Sequence, residues 1–267
     1  MPAEFAYAQW PWGTGSKEEF ITSCRDLSEV GFEYFESVKA FIDTFKDDIG
    51  EFKAITEEFN VKPVSFYFHL SDNHAFDIED LKAKIEFVAA NDIKTISVQG
   101  KWSDKPATQT DLEETTKTII EYGKICKDYG ILPCVHPHHN TAIMYENEID
   151  YVMSHTDPEE IAFGPDTAHL SAGGCDPVAI FQKYKDRIRF THLKDLKGAL
   201  KSGGMQAGVE VYSNFRELGE GDIDFQGVFD VLKSVDYQGY LCGELDRSRF
   251  TNKKSAQLTM KYLCDNW

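Results

Sequence analysis

No Cys-x-x-Cys pair occurs among the six cysteines, Cys24, Cys126, Cys134, Cys175, Cys242 and Cys264. That excludes a thiolate zinc finger and leaves no disulfide framework. Cys126, Cys134 and Cys242 sit in apolar helix or strand contexts, where a free thiol behaves as a small hydrophobe, so a reducing compartment, the cytoplasm, is expected. Basic residues are scarce: 28 Lys and Arg stand against 45 Asp and Glu, a formal net charge of -17. Nucleic-acid binding needs a basic excess to neutralise phosphates, and anionic membrane surfaces demand the same, so neither partner is expected. No apolar run approaches a membrane span. Met1 to Trp12 lacks the charged and apolar regions of a secretory leader. Gly219-Glu220-Gly221 follows a loop and has no third glycine, so it does not read as a dinucleotide site. Nor is there a glycine-rich strand-to-helix turn to cradle a phosphate.

What is present is an ordinary enzyme composition, 42% hydrophobic over 267 residues. That length suits one α/β barrel. Short apolar runs alternate with helical patterns along the whole chain. Ser16 with Glu19 three residues on forms a capping box that opens a helix over 17–30, which Gly31 closes. Phe41, Phe45, Ile49, Phe52, Ile55 and Phe59 recur at helical spacing over 39–59, with Gly50 as a candidate break, and read as core packing. Further helices are expected over 78–90, 111–129, 146–154, from Asp176-Pro177, over 225–235 and over 253–264. Strands are expected at 5–10, 32–36, 63–68, 95–98, 131–135, 161–164, 188–191 and 240–243. Strands buried on both faces read as apolar runs without clean alternation, as these do. Sequential βα repetition with no linker predicts a single closed (β/α)8 TIM barrel spanning 1–267. An open doubly wound sheet is the alternative. The irregular, glycine-bearing stretch 197–222 is a candidate lid, since long loops without structure are usually functional or disordered.

The chemistry collects where those strands end. Strand two delivers Glu36, strand three His69, strand four Gln99, and strand five His136 and His138. Strand six delivers Asp166 and His169, strand seven His192 and Lys194, and strand eight Glu244 and Asp246. Six of the eight histidines lie at or beside these ends, the face on which barrel enzymes build their active sites. Unpaired buried acids and imidazoles are costly, and a divalent cation resolves that cost. Asp166, His192 and Glu244, from three successive strands, can converge on one. Nitrogen and oxygen donors suit Mn2+, the first candidate, and equally Co2+, Zn2+, Fe2+ or Mg2+. Such a metal can hold two oxygens of a hydroxy-ketone and polarise its carbonyl. A carboxylate or imidazole can then remove the adjacent C–H proton, with Lys194 stabilising the enediolate. Reprotonation elsewhere isomerises or epimerises; loss of a β-hydroxyl dehydrates.

Gly-Phe-Glu-Tyr-Phe-Glu (31–36), His-Pro-His-His-Asn-Thr (136–141), Asp-Thr-Ala-His-Leu (166–170), His-Leu-Lys-Asp (192–195), Gly-Glu-Gly-Asp-Ile-Asp-Phe (219–225) and Gly-Glu-Leu-Asp (243–246) together resemble the sugar phosphate isomerase/epimerase superfamily, with its xylose isomerase-like barrel. The resemblance is nearest the inosose dehydratase-like branch. It implies one divalent metal on Asp166, His192 and Glu244 plus a fourth ligand from the strand-five region. It also implies a substrate site lined by Glu36, His138, His169 and Lys194, which His69 joins from strand three. The chain departs from the pattern in one place. Related epimerases carry a Glu where His136 stands, and other relatives carry one at the position of Met144. His136, His138 or Glu146 is left to supply the fourth ligand, unless the site has degenerated. The first expectation is therefore a metal-dependent isomerase or epimerase of a keto-sugar or cyclitol, with Lys194, Glu244 and His136 catalytic. An inosose dehydratase-type lyase comes second. A non-catalytic or subunit protein of the same fold is a further reading, and an AP endonuclease is disfavoured by the acidic charge. Oligomeric state is open, a homo-oligomer included.

Overall fold

The computed structural model describes residues 3–198 and 204–267. Eight strands form one parallel sheet: β1 (Glu4–Ala8), β2 (Tyr34–Val38), β3 (Lys62–His69), β4 (Thr95–Gln99), β5 (Leu132–His136), β6 (Ala162–Phe163), β7 (Phe190–Leu193) and β10 (Tyr240–Gly243), in the order β6-β5-β4-β3-β2-β1-β10-β7. The ends of that order meet. Parallel bridges join Phe163 to Ile188 and Asp166 to His192, and the His192 amide donates to Pro165 O at 2.9 Å. The expected barrel is therefore present and the open sheet is not. A small antiparallel ribbon, β8 (Asp195–Leu196) with β9 (Phe215–Arg216), lies outside it.

Alternation within each strand sorts the two faces. Tyr7, Phe35, Phe66, Phe68, Ile96, Val98 and Val135 belong to the large core shared with the helices. Ala6, Ala8, Cys134, Ala162 and Cys242, with the larger Val64 and Phe190, form a separate inner cluster. Polar residues continue that inner set towards the strand ends: Glu36, Ser65, Ser97 and His136 are fully buried. Small inward side chains leave room for these longer polar ones.

The helices between strands are α1 (Lys17–Val30), α2 (Lys39–Phe45), α3 (Ile49–Glu58), α4 (His74–Ala90), α5 (Gln109–Lys127), α6 (Glu146–Ser154), α7 (Thr167–Ala172), α8 (Pro177–Tyr184), α9 (Phe225–Ser234) and α10 (Asn252–Asn266). The Ser16–Glu19 capping box opens α1, and Gly31 closes it at φ +101°, where a left-handed residue is required. The aromatic stripe packs as expected, with Phe20 stacked on Phe52 at 4.9 Å.

Three expectations are corrected. The stretch 39–59 breaks at 46–48, where Asp48 caps α3 by accepting from the Glu51 amide, and Gly50 lies inside the first turn. The strand expected at 188–191 runs two residues later and includes His192. Helix α7 was not expected: six residues give too short a periodic pattern, and Asp166 caps it. No described helix is long and apolar enough to cross a membrane.

The candidate lid is partly described, since residues 199–203 lie outside the described residues. The rest is ordered by specific contacts. The Met205 amide donates to Ala172 O, and Val211 and Phe215 are buried. Asp195 accepts amide hydrogens from Gly219 and Gly221, at 3.0 and 2.8 Å, and from Ile223. A Cβ on Gly221 would lie 2.2 Å from Asp195 Oδ1, which explains a glycine there.

Candidate active site

The C-terminal ends of β5, β6, β7 and β10 bring five of the expected residues together. His136, the last residue of β5, is wholly buried, and its Nδ1 lies 2.9 Å from His192 Nδ1. Asp166 follows β6; its Oδ1 accepts from the His169 amide at 2.7 Å. His192 lies within β7, so its ring enters the barrel. Lys194 follows β7, and its Nζ contacts Glu244 Oε1 and lies 2.8 Å from Asp246 Oδ2 and 3.5 Å from Asp166 Oδ2. The same ammonium sits over the Phe215 ring at 4.3 Å. Asp195, the next residue in sequence, instead holds the loop amides described above.

The His138 and His169 rings lie against each other, centroids 3.6 Å apart and planes tilted by 34°. The His138 Nδ1–H donates to His139 O at 2.6 Å, which leaves Nε2 as an acceptor. The His139 amide donates to His169 Nδ1 at 3.2 Å, and His169 Nε2 lies 3.1 Å from Lys194 Nζ.

Among the described residues, three buried ligand atoms in this cluster have no hydrogen-bond partner: His136 Nε2, Asp166 Oδ2 and Glu244 Oε2. Leaving a buried polar atom unpaired costs about 1–3 kcal/mol, more for a charged group. The acids register that cost. Burial pushes Asp166 up to about 7 against the pull of Lys194. Burial also raises Glu244, with Asp246 adding to the shift and Lys194 opposing it. Burial alone would lower Lys194, but Asp166, Asp246 and Glu244 override it and hold the ammonium well above its usual value. Burial lowers His136 and His169, and His138 falls to about 3, so these imidazoles stay neutral and able to offer lone pairs. Among the described residues, three nitrogen-and-oxygen groups have their ligand atoms within 4.8 Å of one another: His136 with His192 and Glu244, His136 with Asp166 and His169, and His169 with Glu244 and Asp246. Such a donor set, with three atoms that make no hydrogen bond, fits a divalent cation. His136 belongs to the first two groups. It joins the two halves of the expected trio, which do not form one close group by themselves.

Above this floor lies a cavity of about 410 Å³ walled by Trp10, Tyr67, Gln99, Trp102, Tyr212 and His138, with Glu244 and Asp246 at its base. Tyr67 donates its hydroxyl to Gln99 Oε1 at 2.6 Å. A larger hollow, about 600 Å³ at the N-terminal mouth, holds none of the clustered residues. The chemistry locates the site better than size does.

Other expected residues lie elsewhere. Glu36 sits beneath His192 with 0% exposure, accepting from Ser65, Ser97 and His192, and does not line the cavity. His69 is exposed on the cavity rim. Glu146 is exposed and paired with Lys183 at 3.0 Å, so it turns away from the cluster. Met144 is buried, and its amide donates to Glu148 at 2.8 Å. Tyr67 and Trp102 carry site geometry that the sequence motifs did not single out, whereas Asp246 was expected at the end of strand eight. For Asp246, the signal was its place two residues beyond Glu244.

Residues 24–265 match the family model described as a xylose isomerase-like TIM barrel. An inosose dehydratase of Clostridium tetani is 32% identical over 182 residues, 62% of this chain and 60% of that protein. One from Lactiplantibacillus plantarum is 29% identical over 170 residues, 61% of this chain and 57% of that protein. The chain thus spans about three fifths of the length of these curated relatives. Among solved structures, the IolI protein with a bound zinc atom superposes with a TM-score of 0.78 at 16% identity, covering 98% of this chain and 97% of that one. The D-allulose 3-epimerase of Methylomonas sp. in complex with D-allulose gives 0.79 at 14%, covering 100% and 98%. These two likenesses concern the fold. The family match extends over nine tenths of the sequence: the chain belongs to the xylose isomerase-like TIM barrel family.

Proposed function

We propose that this protein is a divalent-metal-dependent carbon–oxygen lyase that dehydrates a keto-cyclitol or a close keto-sugar, a reaction of the inosose dehydratase type. The observation that carries it is the meeting of three buried ligand atoms that make no hydrogen bond among the described residues with one buried lysine at the base of the cavity. Likeness to inosose dehydratases supports the reaction class. The isomerase or epimerase reading moves to second place, since it shares only the first proton transfer.

His136, Asp166, His192 and Glu244 would hold the cation. When bound, it supplies Lewis-acid polarisation of the substrate carbonyl. The remaining steps belong to this chain's own groups. Trp10 and Trp102 wall the cavity with apolar surface, and Tyr67 and Gln99 add polar groups to orient hydroxyls. Glu244 takes the proton from the carbon next to the carbonyl. Lys194 gives a proton to the β-hydroxyl as its C–O bond breaks, so the products are an enone and water. Direct contact between Lys194 and Glu244 lets the proton pass back and restores both groups. Lys194 also offsets the negative charge that develops on the substrate. Residues 204–216 act as the cover, with Phe215 over Lys194 and Tyr212 in the cavity wall.

The test is incubation with 2-keto-myo-inositol and Mn2+ in deuterated water. A new enone absorbance is expected. Deuterium uptake without it would favour the isomerase, and neither signal would refute both.

A further inference from the structure

The candidate metal ligands come from β5, β6, β7 and β10, which are contiguous around the barrel, and β1 to β4 make the other half of its mouth. The cavity is not confined to the metal half. It reaches across to Thr14 beyond β1, Lys39 and Asp43 of α2, His69 at the end of β3 and Trp102 beyond β4. Its volume of about 410 Å³ lies in the range of sites for drug-sized ligands, about 300–1,000 Å³, and exceeds what one six-membered ring fills. Proton transfer by Glu244 and Lys194 belongs to the metal half, so the opposite arc is left for a part of the substrate that does not react.

The chemistry of that arc is specific. Trp102 is 53% exposed, yet its backbone is held in place. It bridges Thr141, the Ser103 amide donates to Asn140 O at 2.8 Å, and the Ala142 amide donates to Lys101 O at 2.9 Å. Its ring stands at 87° to that of His138. A fixed indole kept in water has apolar area still to cover, and its flat surface suits the C–H face of a sugar ring. The arc carries one cation, Lys39, and one anion, Asp43, and both are already paired. Lys39 Nζ lies 2.7 Å from Asp80 Oδ2, and Asp43 lies 3.1 Å from Lys84 Nζ and 3.6 Å from Lys46 Nζ. Lys39 gives hydrogens to Asp80 and to His69 O, which leaves one of its three for a ligand. Such pairs offer donors and acceptors to hydroxyls, whereas a phosphate calls for cations that are not already neutralised.

We propose that the arc from β1 to β4 is a second subsite for an uncharged, hydroxylated ring. The substrate class is then a glycosylated keto-cyclitol or keto-sugar, its reacting ring on the metal side and its second ring on Trp102, with Lys39 and Asp43 at its hydroxyls. This rests on the reading that the metal side takes a keto ring. The second ring is not the group expelled. Lys194, which protonates the departing oxygen, follows β7 on the opposite arc, so water leaves and the glycosidic bond stays intact.

Calorimetry on the full chain with Mn2+ tests this without turnover. Galactinol, a galactosylated myo-inositol, should bind at least about tenfold tighter than myo-inositol, the worth of one or two net hydrogen bonds. Cellobiose or maltose should likewise exceed glucose, and myo-inositol 1-phosphate should gain nothing over myo-inositol. In Trp102→Ala the ratio of galactinol to myo-inositol affinity should fall towards one, and Asp43→Ala, on the surface of α2, should lower the same ratio. A ratio is used because a merely distorted cavity weakens both ligands together. The proposal is overturned if all three disaccharides bind no tighter than their single rings, if the phosphate binds tightest, or if both variants keep the wild-type ratio. A disaccharide preference in a protein that forms no enone would count against the lyase reading and leave the subsite standing. Enone formation from 2-keto-myo-inositol without that preference would do the reverse.

Discussion

Replacing Lys194 with methionine removes one positive charge from the middle of three carboxylates and keeps most of the side-chain volume. The ammonium contacts Glu244 and lies 2.8 Å from Asp246 and 3.5 Å from Asp166, with its side chain fully buried. One unit-charge pair at about 4 Å is worth about 4 kcal/mol at an effective dielectric of about 20, before desolvation offsets most of it. Deleting one partner of a buried pair typically costs about 3–5 kcal/mol, because the remaining charge stays buried. For a chain of this size about 2–4 °C is lost per kcal/mol, so the metal-free variant should melt about 6–20 °C below the wild type. Adding Mn2+ supplies charge to the same carboxylates and should shrink the deficit. Circular dichroism melts of chelator-treated protein, with and without Mn2+, read both effects. A drop smaller than about 2 °C would refute the view that Lys194 neutralises the cluster. A deficit unchanged by Mn2+ would refute the view that the carboxylates face a cation site.

Asp166→Asn and Glu244→Gln should each abolish metal retention after dialysis while circular dichroism shows the fold intact; full metal and activity in both would refute the ligand assignment. Asn140→Ala should loosen the cover. Asn140 sits at φ +61°, accepts from the Gly208 amide at 2.7 Å and donates to Val209 O at 3.2 Å. Losing these bonds costs about 1–3 kcal/mol locally, so amide exchange at 207–210 should speed up and KM should rise more than kcat falls. Asp80→Asn should destabilise the protein by about 1–3 kcal/mol in urea at pH 7. Burial would raise Asp80, but hydrogen bonds from Lys39 and Lys84 override it and hold the carboxyl below its usual range. Its stabilisation is therefore complete above the ordinary carboxylate value and is lost as pH falls through the lowered one. The gap between variant and wild type should close in acid, and a gap that widens there would refute the assignment.

The barrel was legible because strands buried on both faces leave short apolar runs, and because capping residues such as Ser16 and Asp176 mark helix starts at single positions. Helix α7 was not legible: with six residues it has no periodicity to read, and Asp166 looked like a ligand alone when it is also a cap. The ligand candidates were legible because polar residues at strand ends stand out against those runs. Depth was not. Glu36 was expected at a strand end, but β2 runs on to Val38, so its carboxylate lies inside the barrel beneath His192, whereas His138, beyond the end of β5, stays in the cavity wall. Glu146 illustrates the same limit on a helix. It opens α6 close to the histidines in sequence, yet the first turn points it at Lys183 on α8. The partner of Lys194 was also hidden, because Asp195 is adjacent in sequence while Glu244 and Asp246 are about fifty residues away and adjacent only in space.

The claim on which the rest depends is that His136, Asp166, His192 and Glu244 hold a divalent cation. Elemental analysis of protein purified without chelator tests it most directly. The expected result is close to one divalent ion per chain, lost in Asp166→Asn. Protein that contains no metal and takes up neither added Mn2+ nor Zn2+ would contradict it, and would point to a barrel that has kept the shape of the site without its chemistry.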